Sequence, residues 1–403
     1  MPTIPDRLSV RARESQESPI RALFSLSKRP GMISLAGGWP ATELLDEPGL
    51  GASLGGLTAS ERREILQYGA TSGDASYEQA CRDWLADAAS LCLPGHRFLS
   101  STGAQQAIDL VARAVVGPGD RVAVEAPSYP AAIACFRGAG AEIVEVPSDD
   151  HGMQVDLLEG VAGSRPLKAV YIVPTYGNPT GRCLSMERRR KLASLSAAHA
   201  FFVVEDDPYA GLGFGSRWPL PVAGYAGEGH ADSHWAIYIS SFSKILGPGL
   251  RAGFALLPAD VGAAAERLKQ TTDIHSARWG QAAVSRYLSD ARMPSQLDRL
   301  RGHYAARCDE LCAALDRELV PLGFSYRKPE GGMFVWGSLP AVDSRLLLDR
   351  SIAHGALFVP GGSFFAGNGD PSTLRLSFAG ADVVQIREGV RRIARAAAEL
   401  LVN

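Results

Sequence analysis

Six short runs rich in β-formers mark the middle of the chain: Arg121-Val-Ala-Val-Glu, Ala141-Glu-Ile-Val-Glu-Val, Lys168-Ala-Val-Tyr-Ile-Val, Phe201-Phe-Val-Val-Glu, Trp235-Ala-Ile-Tyr-Ile and Gly253-Phe-Ala-Leu-Leu. Several are almost wholly apolar. A strand with one face in water alternates polar and apolar residues, so a continuous apolar run belongs to a strand covered on both faces. Helical stretches, such as Leu184 to Ala200, separate some of the runs. The pattern predicts an α/β fold: a mostly parallel sheet in a large domain with helices on both faces. Ligands of such a sheet gather at the C-terminal ends of its strands.

Polar residues cluster at those ends. After the fifth run comes Ser241-Phe-Ser-Lys-Ile-Leu-Gly-Pro-Gly-Leu-Arg251. A lysine between Ser243 and Ile245, flanked by apolar residues, is partly desolvated. That lowers its pKa and leaves an amine suited to forming a Schiff base. The hydroxyls of Ser241 and Ser243 and the fork of Arg251 suit a phosphate dianion beside that amine. An aldehyde with a phosphate arm satisfies both halves, which points to pyridoxal 5′-phosphate. Upstream, Phe98-Leu-Ser-Ser-Thr-Gly-Ala-Gln-Gln reads as a strand, a small-residue turn and a helix. The unpaired N–H groups of a helix N-terminus make a phosphate seat.

The spacing S-x-S-K-x-x-x-x-x-x-R, with its companions, resembles the fold-type I pyridoxal-phosphate enzymes, class I/II aminotransferases above all. The companions fall in family order from about residue 18 to the end. Ser34-Leu-Ala-Gly-Gly38-Trp-Pro is similar to the opening segment of the 2-aminoadipate/kynurenine aminotransferase subgroup, which borders the substrate pocket and puts Gly38 there. The chain then departs from that subgroup at Trp39-Pro-Ala-Thr. The resemblance implies a cofactor seat of Gly103, Ala104 and Gln105 with Ser241, Ser243 and Arg251. It places Tyr129 on the cofactor ring, Asn178 and Tyr209 at the ring oxygen, and Asp206 at the ring nitrogen. Lys244 becomes the catalytic amine and Arg375, in Thr373-Leu-Arg-Leu-Ser-Phe, the holder of the substrate α-carboxylate. Asn178-Pro179 is often cis in the family. The segments 330–336 and 359–364 are expected to line the site entrance. Of the adjacent aspartates, the family's D-x-x-Y selects Asp206 and leaves Asp207 as a solvated loop residue.

Tyr68, in Leu66-Gln-Tyr-Gly-Ala-Thr-Ser-Gly, matches a tyrosine that reaches the cofactor phosphate of a partner subunit. The resemblance thus implies a homodimer with shared active sites. Residues 18–24 read as a short amphipathic docking helix. The expected division is 1–45 as an N-terminal arm and small-domain segment, 46–285 as the large cofactor domain, and 286–403 as a smaller α+β domain. Residues 259–280 read as one helix and 281–318 as one long helical tract. A further helix, capped by Asp382, runs from Val383 to Leu401.

Composition excludes other classes. A net charge of −2 and scattered basic residues give no nucleic-acid face. Arg188-Arg189-Arg190 reads as one exposed helix turn. Six cysteines without C-x-x-C spacing suit a reducing compartment, with Cys308 and Cys312 as core thiols and no metal site. No apolar run suggests a signal peptide or a membrane span, so a cytoplasmic chain is expected. The implied activity is transfer of an amino group from an L-amino acid to a 2-oxo acid, with 2-oxoglutarate the expected acceptor, in a ping-pong cycle. Lys244 and Asp206 would equally serve an amino-acid oxidase, a decarboxylase or a β/γ-replacement enzyme, so these stay open. A ligand-sensing domain of a transcription regulator is disfavoured, because only about thirty polar residues precede Met32, too few for a winged-helix segment.

Overall fold

The computed structural model describes residues 4, 7–9, 12–13, 19–215, 218–225 and 235–402. Its strands are β1 (Ile33–Ser34), β2 (Arg97–Ser101), β3 (Arg121–Ala126), β4 (Glu142–Asp149), β5 (Gly152–Met153), β6 (Ala169–Ile172), β7 (Phe202–Asp206), β8 (Ala236–Ser241), β9 (Gly253–Leu257), β10 (Ser325–Tyr326), β11 (Phe334–Ser338), β12 (Ala356–Leu357), β13 (Val359–Pro360) and β14 (Thr373–Ser377). Eight of them form one sheet in the order β2-β9-β8-β7-β6-β3-β4-β5. The five central strands β8, β7, β6, β3 and β4 run parallel, whereas β9 is antiparallel to both of its neighbours. Every residue of β6, β8 and β9 is buried, as their apolar runs require.

This order sets the site. The C-terminal ends of β3, β6, β7, β8 and β2 share one edge of the sheet. Because β9 runs the other way, its first residue, Gly253, also lies at that edge, opposite Ser101 and Ser241. Arg251 is thereby delivered beside the ends of the parallel strands.

A second, antiparallel sheet has the order β10-β11-β14-β13. Arg375 sits in β14 between Trp336 of β11 and Val359 of β13. The C-terminal helix Val383–Val402 packs against helices Met293–Glu318 and Ser344–Ala353. It opens on a reciprocal cap, in which Asp382 Oδ1 accepts from Gln385 N–H and Gln385 Oε1 accepts from Asp382 N–H. The segment 33–34 pairs with β12, so the chain's early residues join the same half of the molecule as its late ones. A helix does form at Pro19–Ser27. Ser18 and the side chain of Ile20, which belong to the expected docking helix, lie outside the described residues.

Three expectations need correction. The tract 259–280 is not one helix: Ala259–Thr272 ends where Ile274 takes φ 64°, and a new helix starts at Arg278. The tract 281–318 likewise breaks at Ala291, φ 53°, and resumes at Met293 with Pro294 in its first turn. Nor is Arg188-Arg189-Arg190 an exposed turn. Arg189 is fully buried, donating to the carbonyls of Leu184 and Pro174 and to Thr175 Oγ1, with Glu205 3.7 Å away. Cys308 and Cys312 are buried, as expected of core thiols.

Candidate active site

A cavity of about 980 Å³ opens at the shared strand edge. The sequence motifs converge there. Its wall carries Gly38, Ala104, Gln105, Tyr129, Asn178, Asp206, Tyr209, Ser241, Ser243, Lys244, Arg251 and Arg375.

Lys244 follows the end of β8, and its ammonium donates to Gly38 O at 2.7 Å. Burial lowers its pKa to about 8; the cations Arg375 and Arg251 act in the same direction and Asp206 opposes them. Asp206 closes β7. Its Oδ2 accepts from Tyr171 O–H at 2.8 Å, while Oδ1 is buried with no hydrogen-bond partner among the described residues. Desolvation pushes this carboxyl up to about 7, against the lowering effects of Tyr171 and Lys244. An unpaired buried carboxylate oxygen on a cavity wall is a seat for a cationic N–H.

On the opposite flank, Gly103 has φ 82° and starts the helix Ala104–Val115 without a side-chain cap. A Cβ on Gly103 would meet the Arg251 guanidinium at 2.9 Å, and a Cβ on Gly253 would meet Gly103 Cα at 2.8 Å. Both residues must therefore be glycine for Arg251 to close over the turn. Ser241 and Ser243 hydroxyls lie 2.8 Å apart beside it. Free first-turn N–H groups, two hydroxyls and an arginine form a cradle for a phosphate dianion.

Arg375 is buried. Its Nη1 donates to Asn178 Oδ1 at 2.7 Å and its Nη2 to Ala36 O at 2.6 Å, and the guanidinium lies over the rings of Phe334 and Phe364. Nε has no hydrogen-bond partner among the described residues. Desolvation lowers its pKa to about 10. Tyr129 donates to Gln105 Oε1 at 3.2 Å, and burial raises its pKa to about 12. Tyr209 is also buried, which raises its phenol pKa well above normal. The Asn178-Pro179 bond is cis, as is Ala126-Pro127.

Some placements differ from expectation. Asp207 is not in a solvated loop but buried, on the other side of the strand end from the cavity. Of the two segments expected at the entrance, 330–336 supplies Phe334 to the wall, but 359–364 lies behind it, backing Arg375 through Phe364. Tyr68 is 75% exposed and no part of this chain's cavity, its ring edge-on to His275. Sequence reasoning missed Tyr171. Its only signal was a hydroxyl-bearing ring in an otherwise apolar run. Arg21, Phe24 and Trp39 also line the cavity. Among the described residues no cluster of metal-ligating side chains is found, and no helix is long and apolar enough to cross a membrane.

A buried lysine, a buried carboxylate with one unpaired oxygen and an anion cradle, at the C-terminal edge of this sheet, are the residues a pyridoxal-phosphate-dependent enzyme of fold type I requires. Comparison with known proteins agrees. The chain belongs to the aminotransferase class I and II family, whose model matches residues 43–393. It is 37% identical to the 2-aminoadipate transaminase of Thermus thermophilus over 393 residues, 96% of this chain and 95% of that protein. It is 34% identical to aromatic-amino-acid aminotransferase 1 of Thermococcus litoralis over 392 residues, 96% and 93% of the two chains. Among solved structures, the alpha-aminoadipate aminotransferase of T. thermophilus, complexed with N-(5′-phosphopyridoxyl)-L-leucine, superposes with a TM-score of 0.91 at 34% identity over 99% of both chains. The protein is a pyridoxal-phosphate-dependent aminotransferase, and the expectations for fold, cofactor and reaction class are borne out. Its relatives speak for transamination over oxidation, decarboxylation or replacement.

Proposed function

We propose that the chain moves an amino group from an L-amino acid to 2-oxoglutarate in a ping-pong cycle, through the residues gathered in this cavity. The observation that carries the reading is the pairing of Lys244, its amine held by Gly38 O, with Asp206, a residue of the same cavity wall whose buried Oδ1 has no hydrogen-bond partner among the described residues. When bound, pyridoxal phosphate supplies an electron sink for negative charge developing at the substrate α-carbon. The chain's residues do the rest. Gly103, Ala104, Gln105, Ser241, Ser243 and Arg251 seat the phosphate. Tyr129 would bear on the ring, Asn178 and Tyr209 would hold the ring oxygen, and Asp206 would keep the ring nitrogen protonated. Arg375, on the cavity wall, takes the substrate α-carboxylate through its guanidinium. Lys244 Nζ carries the α-carbon proton, and an amine with a pKa of about 8 is matched to that task. At the mouth, Arg21, Phe24 and Trp39 suit a donor with a long acidic or an aromatic side chain, the two kinds its relatives are named for.

The functional unit in this reading is a homodimer in the cytoplasm. Leu66, Tyr68, Ile274 and Trp279 are large exposed apolar residues on neighbouring segments, and Arg278 braces them through Asp74 and the carbonyls of Glu64 and Gln67. Such a group beside the site suits a second copy that receives Tyr68 at its phosphate cradle. The proposed division 1–45, 46–285 and 286–403 is supported by the eight-stranded sheet lying within 97–257 and the four-stranded one within 325–377.

A donor panel with 2-oxoglutarate tests the reading. Without acceptor, one equivalent of an accepted donor should convert the cofactor to pyridoxamine phosphate and then stop. Sustained oxygen consumption or carbon dioxide release would overturn it. Mixing Lys244→Ala chains with Tyr68→Ala chains tests the shared site: mixed dimers should regain part of the activity, and an active monomer would refute it.

A further inference from the structure

The phosphate cradle is itself held in shape, by the last residue of its own motif, Gln106, and by an ion pair that no motif announced. Lys269, in the helix Ala259–Thr272, is fully buried, yet it carries an ammonium. That ammonium donates to both carboxylate oxygens of Asp273 at 2.8 Å and to Gln106 Oε1 at 3.3 Å. Gln106 Nε2 donates back to Asp273 Oδ2 at 2.6 Å. The amide is thus gripped from both ends, with its orientation fixed. Its oxygen then accepts from Thr102 N–H at 2.7 Å. Thr102 O, on the same residue, accepts from Arg251. The residue that enters the cradle is therefore tied at its N–H by Gln106 and at its carbonyl by Arg251.

The arrangement has electrostatic logic. Gln106 is the third residue of the helix that opens at Gly103. A glutamate often fills that place and reaches back to a backbone N–H. A carboxylate there would face a bound phosphate dianion at short range and repel it. Here a neutral amide reaches one residue further back, to the Thr102 N–H ahead of the N-cap Gly103, without the charge. An amide oxygen is the weaker acceptor, and a buried cation and its counter-ion compensate by polarising and orienting it. The ion pair adds no net charge near the phosphate.

We propose that Lys269, Asp273 and Gln106 are positioning residues for the phosphate turn Thr102–Gln105, setting the selectivity of the site for a phosphorylated cofactor. The inference rests on the cradle assigned above as the phosphate seat. The test compares pyridoxal phosphate with pyridoxal, which lacks the phosphate, by equilibrium binding to the full chain after cofactor removal. Wild type should prefer the phosphate form strongly. Gln106→Leu, a half-buried position, should cut that preference about tenfold or more, and Gln106→Glu should cut it further because it adds charge. Lys269→Met with Asp273→Leu removes the ion pair while keeping its volume, a change that buried pairs often tolerate; it too should lower the preference. A role in stability alone would lower the melting temperature and weaken both ligands equally. If the Gln106 variants and the double variant all keep the wild-type preference, the assignment is wrong. If wild type shows no preference for the phosphate form, it is the phosphate seat that fails.

Discussion

Asp206 and Asp207 are neighbours at the end of β7, both buried, and they sit in different surroundings. Successive side chains of a strand point to opposite faces, so the two carboxyls are separated by the sheet. Asp206 faces the cavity with Tyr171 behind it and Lys244 nearby. Asp207 faces the covered side, with Arg189 the main charge that opposes its desolvation, and Tyr238 close by. Burial raises both, Asp206 to about 7 and Asp207 to about 6. Each keeps one oxygen without a hydrogen bond among the described residues. Burial and a shifted pKa therefore do not tell the two carboxyls apart. Their place does, since Asp206 and not Asp207 is on the cavity wall, which is why the proposed role falls to Asp206.

The widest separation between the two should come from isosteric amides. Asp206→Asn loses the charge that keeps the ring nitrogen protonated, and turnover should fall about 100-fold or more, some 3 kcal/mol, with little change in melting temperature. Asp207→Asn should do neither. Burial already holds this carboxyl up at about 6 despite Arg189, so losing its charge should change stability by no more than about 1 kcal/mol, read by denaturant unfolding, with turnover within a few-fold of wild type. Equal losses of turnover would erase the distinction. Tyr171→Phe is a finer probe: it removes one donor to Asp206, about 1 kcal/mol, and should lower turnover several-fold while leaving Asp207 untouched. The smallest effect is on Lys244. In the cofactor-free chain its amine should become reactive toward an acylating reagent with a midpoint near pH 8, not 10.5. Asp206 opposes the lowering, so Asp206→Asn should move the midpoint down further, and Asp207→Asn should leave it in place.

The contrast also shows what was legible in the sequence. Lys244, Asp206, Asn178 and Arg251 lie in short local motifs at strand ends, where the chain must turn and polar residues are conspicuous. The sheet was legible because its strands are too apolar to face water. Asp207 and Arg189 were misread because their burial is tertiary: the backbone of 174–184 covers Arg189, and local polarity says nothing of that. The helix breaks at Ile274 and Ala291 use positive φ in residues that give no turn signal. Lys269 and Gln106 stand 163 positions apart in sequence, so only the fold brings them together.

The most direct test of the site is covalent. Borohydride reduction of the purified holoenzyme, followed by peptide mass mapping, reports which amine the cofactor holds. The result predicted is a pyridoxyl adduct on Lys244 alone, absent from Lys244→Ala, which should also lack turnover. An adduct on another lysine, or turnover that survives in Lys244→Ala, would contradict the assignment.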